Sequence, residues 1–198
     1  FRRVLFRSDL GSGTGDLTFS AATTVKGNGR IVGLDFSLPM LLLARSKQRS
    51  AKHGEKTHFI QGSALFPPFK DCVFDGVMTA FVLRNVSDLS LFFSHAFRVL
   101  KNGGRFVSLD MFPPSTTWFS ALYSLYFYRL VPWIGGALAH DHSAYRYLAR
   151  SVESFYSPQT VVVMLEQAGF ERVSMRKFLN GAVCMHVAEK FNASPHAS

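Results

Sequence analysis

Asp9-Leu10-Gly11-Ser12-Gly13-Thr14-Gly15-Asp16 is the stretch that decides how this chain folds. Glycine at alternate positions lets the backbone take positive φ and lets a ligand come close to it. The loop falls between a first strand and a short helical stretch. The next predicted strand, Arg30 to Leu34, leads into Asp35, where a carboxylate can hold ribose hydroxyls. Dinucleotides and S-adenosylmethionine both use such a loop, and charge separates them. A pyrophosphate seated on a helix N-terminus needs amides and no anions. Here Asp16 occupies the first helical turn and Asp9 precedes the loop, so a phosphate would face two carboxylates. S-adenosylmethionine has no phosphate, and carboxylates favour its ammonium and sulfonium groups. The third glycine also comes one residue earlier than in the dinucleotide pattern. The loop reads as an S-adenosylmethionine site.

Strand and helix signals alternate on from this loop. Ser37 predicts a helix cap, with Met40, Leu41 and Ala44 at helical spacing and an end near Lys52. Thr57 to Gln61 and Val73 to Thr79 read as strands. Asp88 can cap a helix that places Phe92, Ala96, Val99 and Leu100 on one face, with Gly103-Gly104 as its stop and Arg105 to Leu109 as the next strand. Ser157-Pro158 opens a helix carrying Val161, Met164, Leu165 and Ala168, ended by Gly169. Arg172 to Arg176 and Ala182 to Glu189 are close enough in sequence to form an antiparallel pair. The fold class is α/β: a doubly wound, Rossmann-like, mostly parallel sheet with an antiparallel closing strand pair.

Hydrophobic residues make up 47% and charged residues 18% of the 198, which excludes disorder for the bulk of the chain and fits one domain with a sizeable core. Residues 9–190 read as that domain and 191–198 as a polar tail. Residues 1–8, Phe-Arg-Arg-Val-Leu-Phe-Arg-Ser, fit poorly with the rest of the chain and read as a non-native start, with Arg7 and Ser8 standing where apolar residues are expected. The formal net charge is +9, but Lys and Arg are scattered. Only Arg45, Lys47, Arg49, Lys52 and Lys56 approach a cluster, which on a helix is usually a solvated face. No nucleic-acid-binding module accompanies it, so no nucleic-acid partner is expected. Cys72 and Cys184 lie in apolar runs without metal-ligand spacing. They read as buried free thiols in a reducing compartment, with no metal and a cytoplasmic location. Trp118 to Ala139 is almost continuously apolar and aromatic, but Arg129 and Pro132 interrupt it. It reads as a buried or cavity-lining helix or as one that meets the bilayer interface.

Several stretches resemble the ubiquinone/menaquinone biosynthesis methyltransferases. They are Asp9 to Leu17, Pro68-Phe69 with Phe74-Asp75, Leu83-Arg84-Asn85-Val86, Arg98 to Arg105, Tyr145-Arg146-Tyr147-Leu148 and Gly181 to His186. The glycine loop and Arg98 to Arg105 are general to class I methyltransferases; Leu83 to Val86, Tyr145 to Leu148 and Gly181 to His186 are more particular to this family. The resemblance runs from Asp9 to about Lys190. It implies an enzyme that uses S-adenosylmethionine to methylate a ring carbon of a prenylated quinol, demethylmenaquinol or a related one. A peripheral membrane contact and a homodimer are compatible with it.

The implied cofactor residues are Gly11, Gly13, Thr14 and Gly15 in the loop, Asp35, and Ser63-Ala64 after the third strand. Family members commonly carry Asn or Asp where this chain has Ser63. The candidate catalytic residues are Arg84, Asn85, His140, Asp141 and Tyr145. Methyl transfer to carbon needs an electron-rich ring, best obtained by ionising a phenol of pKa about 10. Arginine stays protonated in proteins, so Arg84 suits stabilisation of the phenolate better than the role of a base. Asn85 can orient the second ring oxygen. A proton acceptor is sought among His140, Asp141 and His142, with Tyr145 and Tyr147 beyond them. His186 reads as a core histidine, and Val86, Trp118, Tyr123 and Tyr126 as apolar walls. Two other readings stand beside this one: a class I methyltransferase for another small lipophilic substrate, and a non-catalytic subunit with the same fold.

Overall fold

The structure is a computed structural model that describes residues 5–113, 151–152 and 154–191. Its first half repeats a strand–helix unit: β1 (Phe6–Leu10), α1 (Asp16–Thr24), β2 (Arg30–Asp35), α2 (Leu38–Gln48) and β3 (Thr57–Gln61). Next come β4 (Phe74–Ala80), a 3₁₀ turn at Leu83–Asn85, α3 (Leu89–Val99) and β5 (Leu100–Met111). The closing elements are α4 (Pro158–Gln167), β6 (Glu171–Phe178) and β7 (Val183–Glu189). The strands form one seven-stranded sheet in the order β3-β2-β1-β4-β5-β7-β6. The pairs among β1 to β5 are parallel, and β7 runs antiparallel to both β5 and β6. This is the sheet that the alternation of strand and helix signals predicts.

Local signals explain most boundaries. The Asp88 carboxylate accepts the Leu91 amide at 2.9 Å and starts α3. The Ser157 hydroxyl accepts the Thr160 amide at 3.1 Å and starts α4, with Pro158 in its first turn. Gly169, with φ 96°, ends it. Other boundaries move. α2 stops at Gln48, short of Lys52, and Ser37 precedes it without a side-chain cap. α3 stops at Val99, and Gly103-Gly104 lies inside β5, where the register with β4 shifts between Phe74 and Gly76. The end of α3 is held from far along the chain. Lys190 points its ammonium at the carbonyls of Phe97 and Leu100, 2.8 Å from each, and lies over the Phe97 ring. A cation at a helix C-terminus satisfies carbonyls that a glycine stop would leave to solvent.

The phenylalanines form the core. Phe92, Phe93, Ala96 and Val99 are buried on α3 against β4 and β5. Phe106 of β5 meets Phe93 at 5.7 Å and Phe170 at 5.6 Å between ring centroids, within the range that favours tilted and edge-to-face contacts. β1 takes in Phe6, Arg7 and Ser8 and pairs in register with both neighbours. Ser8 is buried there, its hydroxyl without a partner among the described residues, while the Phe6 amide donates to Asp75 at 2.9 Å. Cys184 is buried as expected, but Cys72 is exposed, in a positive-φ turn before β4. His186 is a core residue: buried, its Nε2 lies 3.0 Å from the Pro158 carbonyl and ties β7 to the start of α4. Burial pushes its pKa down, against the pull of that hydrogen bond. Trp118, Tyr123 and Tyr126 lie outside the described residues.

Phe106 touches both α3 and the ring of Phe170, so Phe106→Ala should leave a cavity under both. The expected loss is about 3–5 kcal/mol of unfolding free energy, read as a fall in urea midpoint by circular dichroism. An unchanged midpoint would show that the ring cluster does not carry the core.

Candidate active site

β1 lies between β2 on one side and β4 on the other, so the direction of winding reverses at the β1/β4 boundary. In doubly wound sheets ligands bind outside the carboxyl ends of the strands at such a point. A cleft of about 800 Å³ opens there. Its walls are the loop after β1 (Gly11 to Gly13, with Asp9), the end of β2 (Asp35 to Ser37, with Met40), Ser63 to Leu65, and the stretch after β4 (Ala80 to Val82 and Asn85 to Ser87).

The glycine loop is folded over the end of β2. The amides of Gly11 and Ser12 both donate to the Leu34 carbonyl, at 2.7 and 3.0 Å. The Gly13 amide donates to Asp35 Oδ2 at 2.8 Å, and the Ser37 amide to Oδ1 at 2.9 Å. Gly11 has φ 77°, and a side chain there would collide with Val82, which lines the same cleft. Gly15, with φ 83°, precedes α1 and would place a Cβ 2.7 Å from the Phe59 ring. Glycine at these two places is a steric requirement.

Among the described residues, two polar groups that line the cleft, Asp9 Oδ1 and the Ser12 hydroxyl, have no partner. Asp9 is buried; its Oδ2 accepts the Thr18 hydroxyl at 2.7 Å, but Oδ1 has no hydrogen bond. The Ser12 hydroxyl, also buried, has none either. Burial raises the Asp9 pKa from the ordinary carboxylate value to about 7, the Thr18 bond opposes the rise, and the neighbouring Asp35 adds to it. A buried acceptor without a partner is an expensive feature to keep unless a ligand meets it. The sequence reading does not place Asp9 and Ser12 among the site residues, although Asp9 is visible there as the acid at the mouth of the loop.

The other expected residues divide. Gly11, Gly13, Asp35, Ser63 and Ala64 line the cleft, and so do Asn85 and Val86. The Ser63 hydroxyl accepts the Leu65 amide at 3.2 Å, shaping its own loop. Thr14 and Gly15 do not line it. Thr14 donates to Asp16 at 2.7 Å and accepts from Lys47 at 3.0 Å, in a solvent-facing knot that joins α1 to α2. Its hydroxyl is used in holding the loop. Arg84 is not among the lining residues either. Its Nη1 lies 2.6 Å from Asp110 Oδ1, and the pair is nearly sealed from solvent. Asp110 further accepts the amides of Leu83 and Met111 at 2.8 Å each. Burial raises the Asp110 pKa, and the Arg84 charge and these amides oppose the rise. Arg84 is therefore drawn behind the cleft wall toward β5, and Asn85 and Val86 face the cavity in its place. His140, Asp141, His142, Tyr145 and Tyr147 lie outside the described residues.

The model of the ubiE/COQ5 methyltransferase family matches residues 3–190. The chain belongs to this family. It is 38% identical over 190 residues to demethylmenaquinone methyltransferase of Thermus thermophilus, covering 96% of this chain and 83% of that one. It is 37% identical over 182 residues to the enzyme of the same name from Lactiplantibacillus plantarum, covering 92% and 77%. Similarity to the ubiquinone/menaquinone biosynthesis C-methyltransferase of Vibrio cholerae is 37% over 183 residues, covering 92% and 70%. Solved structures share the fold at low identity. A methyltransferase from Aquifex aeolicus has a TM-score of 0.66 at 17% identity, covering 93% of this chain and 81% of that one. A phosphoethanolamine N-methyltransferase from Haemonchus contortus, solved with S-adenosylhomocysteine, has a TM-score of 0.69 at 14% identity, covering 97% and 50%.

The raised Asp9 pKa gives this methyltransferase a specific pH response. Because the folded-state value is above the unfolded one, the proton on Asp9 stabilises the empty fold most below about pH 4, and that contribution is lost as pH rises through about 7. A cationic ligand favours the ionised form, so its binding expels a proton and strengthens over the same range. Calorimetric affinity for S-adenosylmethionine should rise several-fold between about pH 6 and about pH 7.5, and Asp9→Asn should flatten the profile. A slope that persists in the variant would place the titrating group elsewhere.

Proposed function

We propose that this chain transfers the methyl group of S-adenosylmethionine to a ring carbon of a prenylated quinol, demethylmenaquinol or a related one. The observation that carries the proposal is the cleft's division of labour. Asp9, Asp16, Asp35 and the Ser12 hydroxyl line the cleft with polar groups, while Phe81, Val82 and Val86 make the stretch after β4 apolar. The first set suits a cationic amino-acid moiety and a ribose; the second suits a flat hydrocarbon ring.

The cofactor supplies an electrophilic methyl on a sulfonium. Asp9 Oδ1 and the Ser12 hydroxyl, both without partners, are the acceptors for its ammonium. Asp35, already oriented by two backbone amides, takes the ribose hydroxyls. Phe36 and Met40 with Ala64 and Leu65 form an apolar slot for the purine, with Ser63 at its edge. Asn85 lines the cavity and is placed to orient a ring oxygen of the quinol. Arg84 acts as a positioning residue: its ion pair with Asp110 fastens the turn that carries Asn85 and Val86 to β5. The loss of a phenolic proton is assigned, on chemical grounds, to the group His140, Asp141 and Tyr145, since an imidazole titrates near neutrality. A ring held about 3–3.5 Å from the methyl would then react without further reorganisation.

A prenylated substrate resides in a bilayer, so the enzyme is expected to work in peripheral contact with a membrane. Among the described residues no helix is long and apolar enough to cross one.

The test is an assay of the whole chain with S-adenosylmethionine against prenylated naphthoquinols and benzoquinols, a simple phenol and a sterol, with products identified by mass spectrometry. Methylated quinol is the expected product. Methylation of the phenol or sterol alone would overturn the substrate, and a folded, cofactor-binding chain that methylates nothing would overturn the activity. Asp35→Ala should weaken cofactor binding by about 1.5–3 kcal/mol, the usual worth of charge-assisted hydrogen bonds; unchanged calorimetric affinity would remove Asp35 from the ribose site. Arg84→Lys should lower turnover while cofactor affinity stays within about twofold, because a single ammonium holds the turn less rigidly than a planar fork. Equal turnover in variant and wild type would remove Arg84 from any role in the reaction.

A further inference from the structure

We infer that the outward face of α2 is the surface by which this chain docks on an anionic lipid bilayer. The inference rests on the prenylated substrate proposed above. α2 is apolar on more than one side. Leu41 and Ala44 are buried against Phe59, as a surface helix of a globular domain requires. Leu38, Leu42 and Leu43 point away from that contact and are 47%, 55% and 55% exposed. Phe36, just before the helix, is 79% exposed. Apolar residues on more than one side of a helix are normally covered on each, and the first two turns of this one are covered on one side among the described residues.

Charge selects the occupant. From Phe36 to Gly54 the sequence has no acidic residue, and Arg45, Lys47, Arg49 and Lys52 follow the leucines. Lys47 is paired with Asp16, and Arg45 donates to the Phe59 carbonyl. Arg49 and Lys52 are exposed and make no ion pair among the described residues. Leucines followed by unpaired cations suit a surface whose headgroups are negative and whose interior is hydrocarbon. A second copy of this chain would set one basic face against another in an isologous pair, which like charge opposes. Position fits as well. Phe36 and Met40 belong both to this stretch and to the lining of the cleft. A bilayer seated on α2 would thus border the rim of the cleft in which the quinol ring reacts.

The experiment is co-sedimentation of the whole chain with vesicles of phosphatidylglycerol or of phosphatidylcholine. Wild type should pellet with phosphatidylglycerol and far less with phosphatidylcholine. The double variant Leu42→Asp/Leu43→Asp should lose binding at least about tenfold. Arg49→Glu/Lys52→Glu should weaken it and its salt dependence, each cation being worth roughly fivefold near an anionic surface. Circular dichroism and calorimetric S-adenosylmethionine affinity verify that the variants are folded, since none of the four residues lines the cleft. Wild type that ignores both vesicles, or a leucine variant that binds as wild type does, would overturn the inference. So would a wild-type dimer on sizing that the leucine variant abolishes, since it would make a second copy the occupant. Methyl transfer to a tail-less quinol in solution separates the two readings. Its failure alongside vesicle binding would fault the proposed substrate, whereas its success without vesicle binding would fault only the docking surface.

Discussion

The fold of the site depends on one constraint: the end of β2 must serve as the anchor for the loop after β1. The Leu34 carbonyl takes two loop amides, and the Asp35 carboxylate takes a third. These bonds fold Gly11 to Gly13 across the sheet edge and leave the Asp9 and Ser12 acceptors facing the cleft. They also require that nothing larger than hydrogen stand at Gly11, where Val82 closes in from the end of β4. Three parallel strands, β2, β1 and β4, thus meet through one loop, and the cleft exists because the winding reverses between them.

The same constraint accounts for the electrostatics. Asp9 lies near Asp35 in a poorly solvated place, and the Asp35 charge adds to the cost of ionising Asp9. Asp35 is compensated by two backbone amides. Asp9 accepts one hydroxyl, and burial moves its ionisation toward neutrality. Arg84 and Asp110 solve a similar problem in the opposite way. There a buried carboxylate is met by a guanidinium and by amides, and the result is a fixed strut that leaves no carboxylate oxygen without a partner. One buried acid is prepared for a ligand, and the other is consumed by the fold.

α2 is the element in which local and global demands diverge. Its inner residues do what an amphipathic surface helix does, and its outer leucines do not. Sequence reading alone treats Arg45 to Lys56 as a solvated basic run, because exposure of the preceding leucines is not visible in a pattern where apolar residues occur on every side of the helix. Burial is a property of the neighbours, and β3 and Phe59 cover only one side.

By itself the sequence determined the alternation of strands and helices, the closing antiparallel pair and the position of the glycine loop. Those rest on short-range rules: glycine where φ is positive, Asp88 and Ser157 at helix starts, and apolar residues at the spacing of one buried face. The family motifs lie in the same local stretches, so they too were legible. Tertiary structure alone decided which polar groups face the cleft. Thr14 and Arg84 have the right chemistry and position in the chain, but Lys47 and Asp110, distant in sequence, hold them. Among the described residues Asp9 Oδ1 and the Ser12 hydroxyl have no partner, and Lys190 ended a helix that its own sequence would carry on to Gly103. Hydrogen-bond partners of buried groups are set by whichever donor the fold brings within about 3 Å, and no local pattern records that choice.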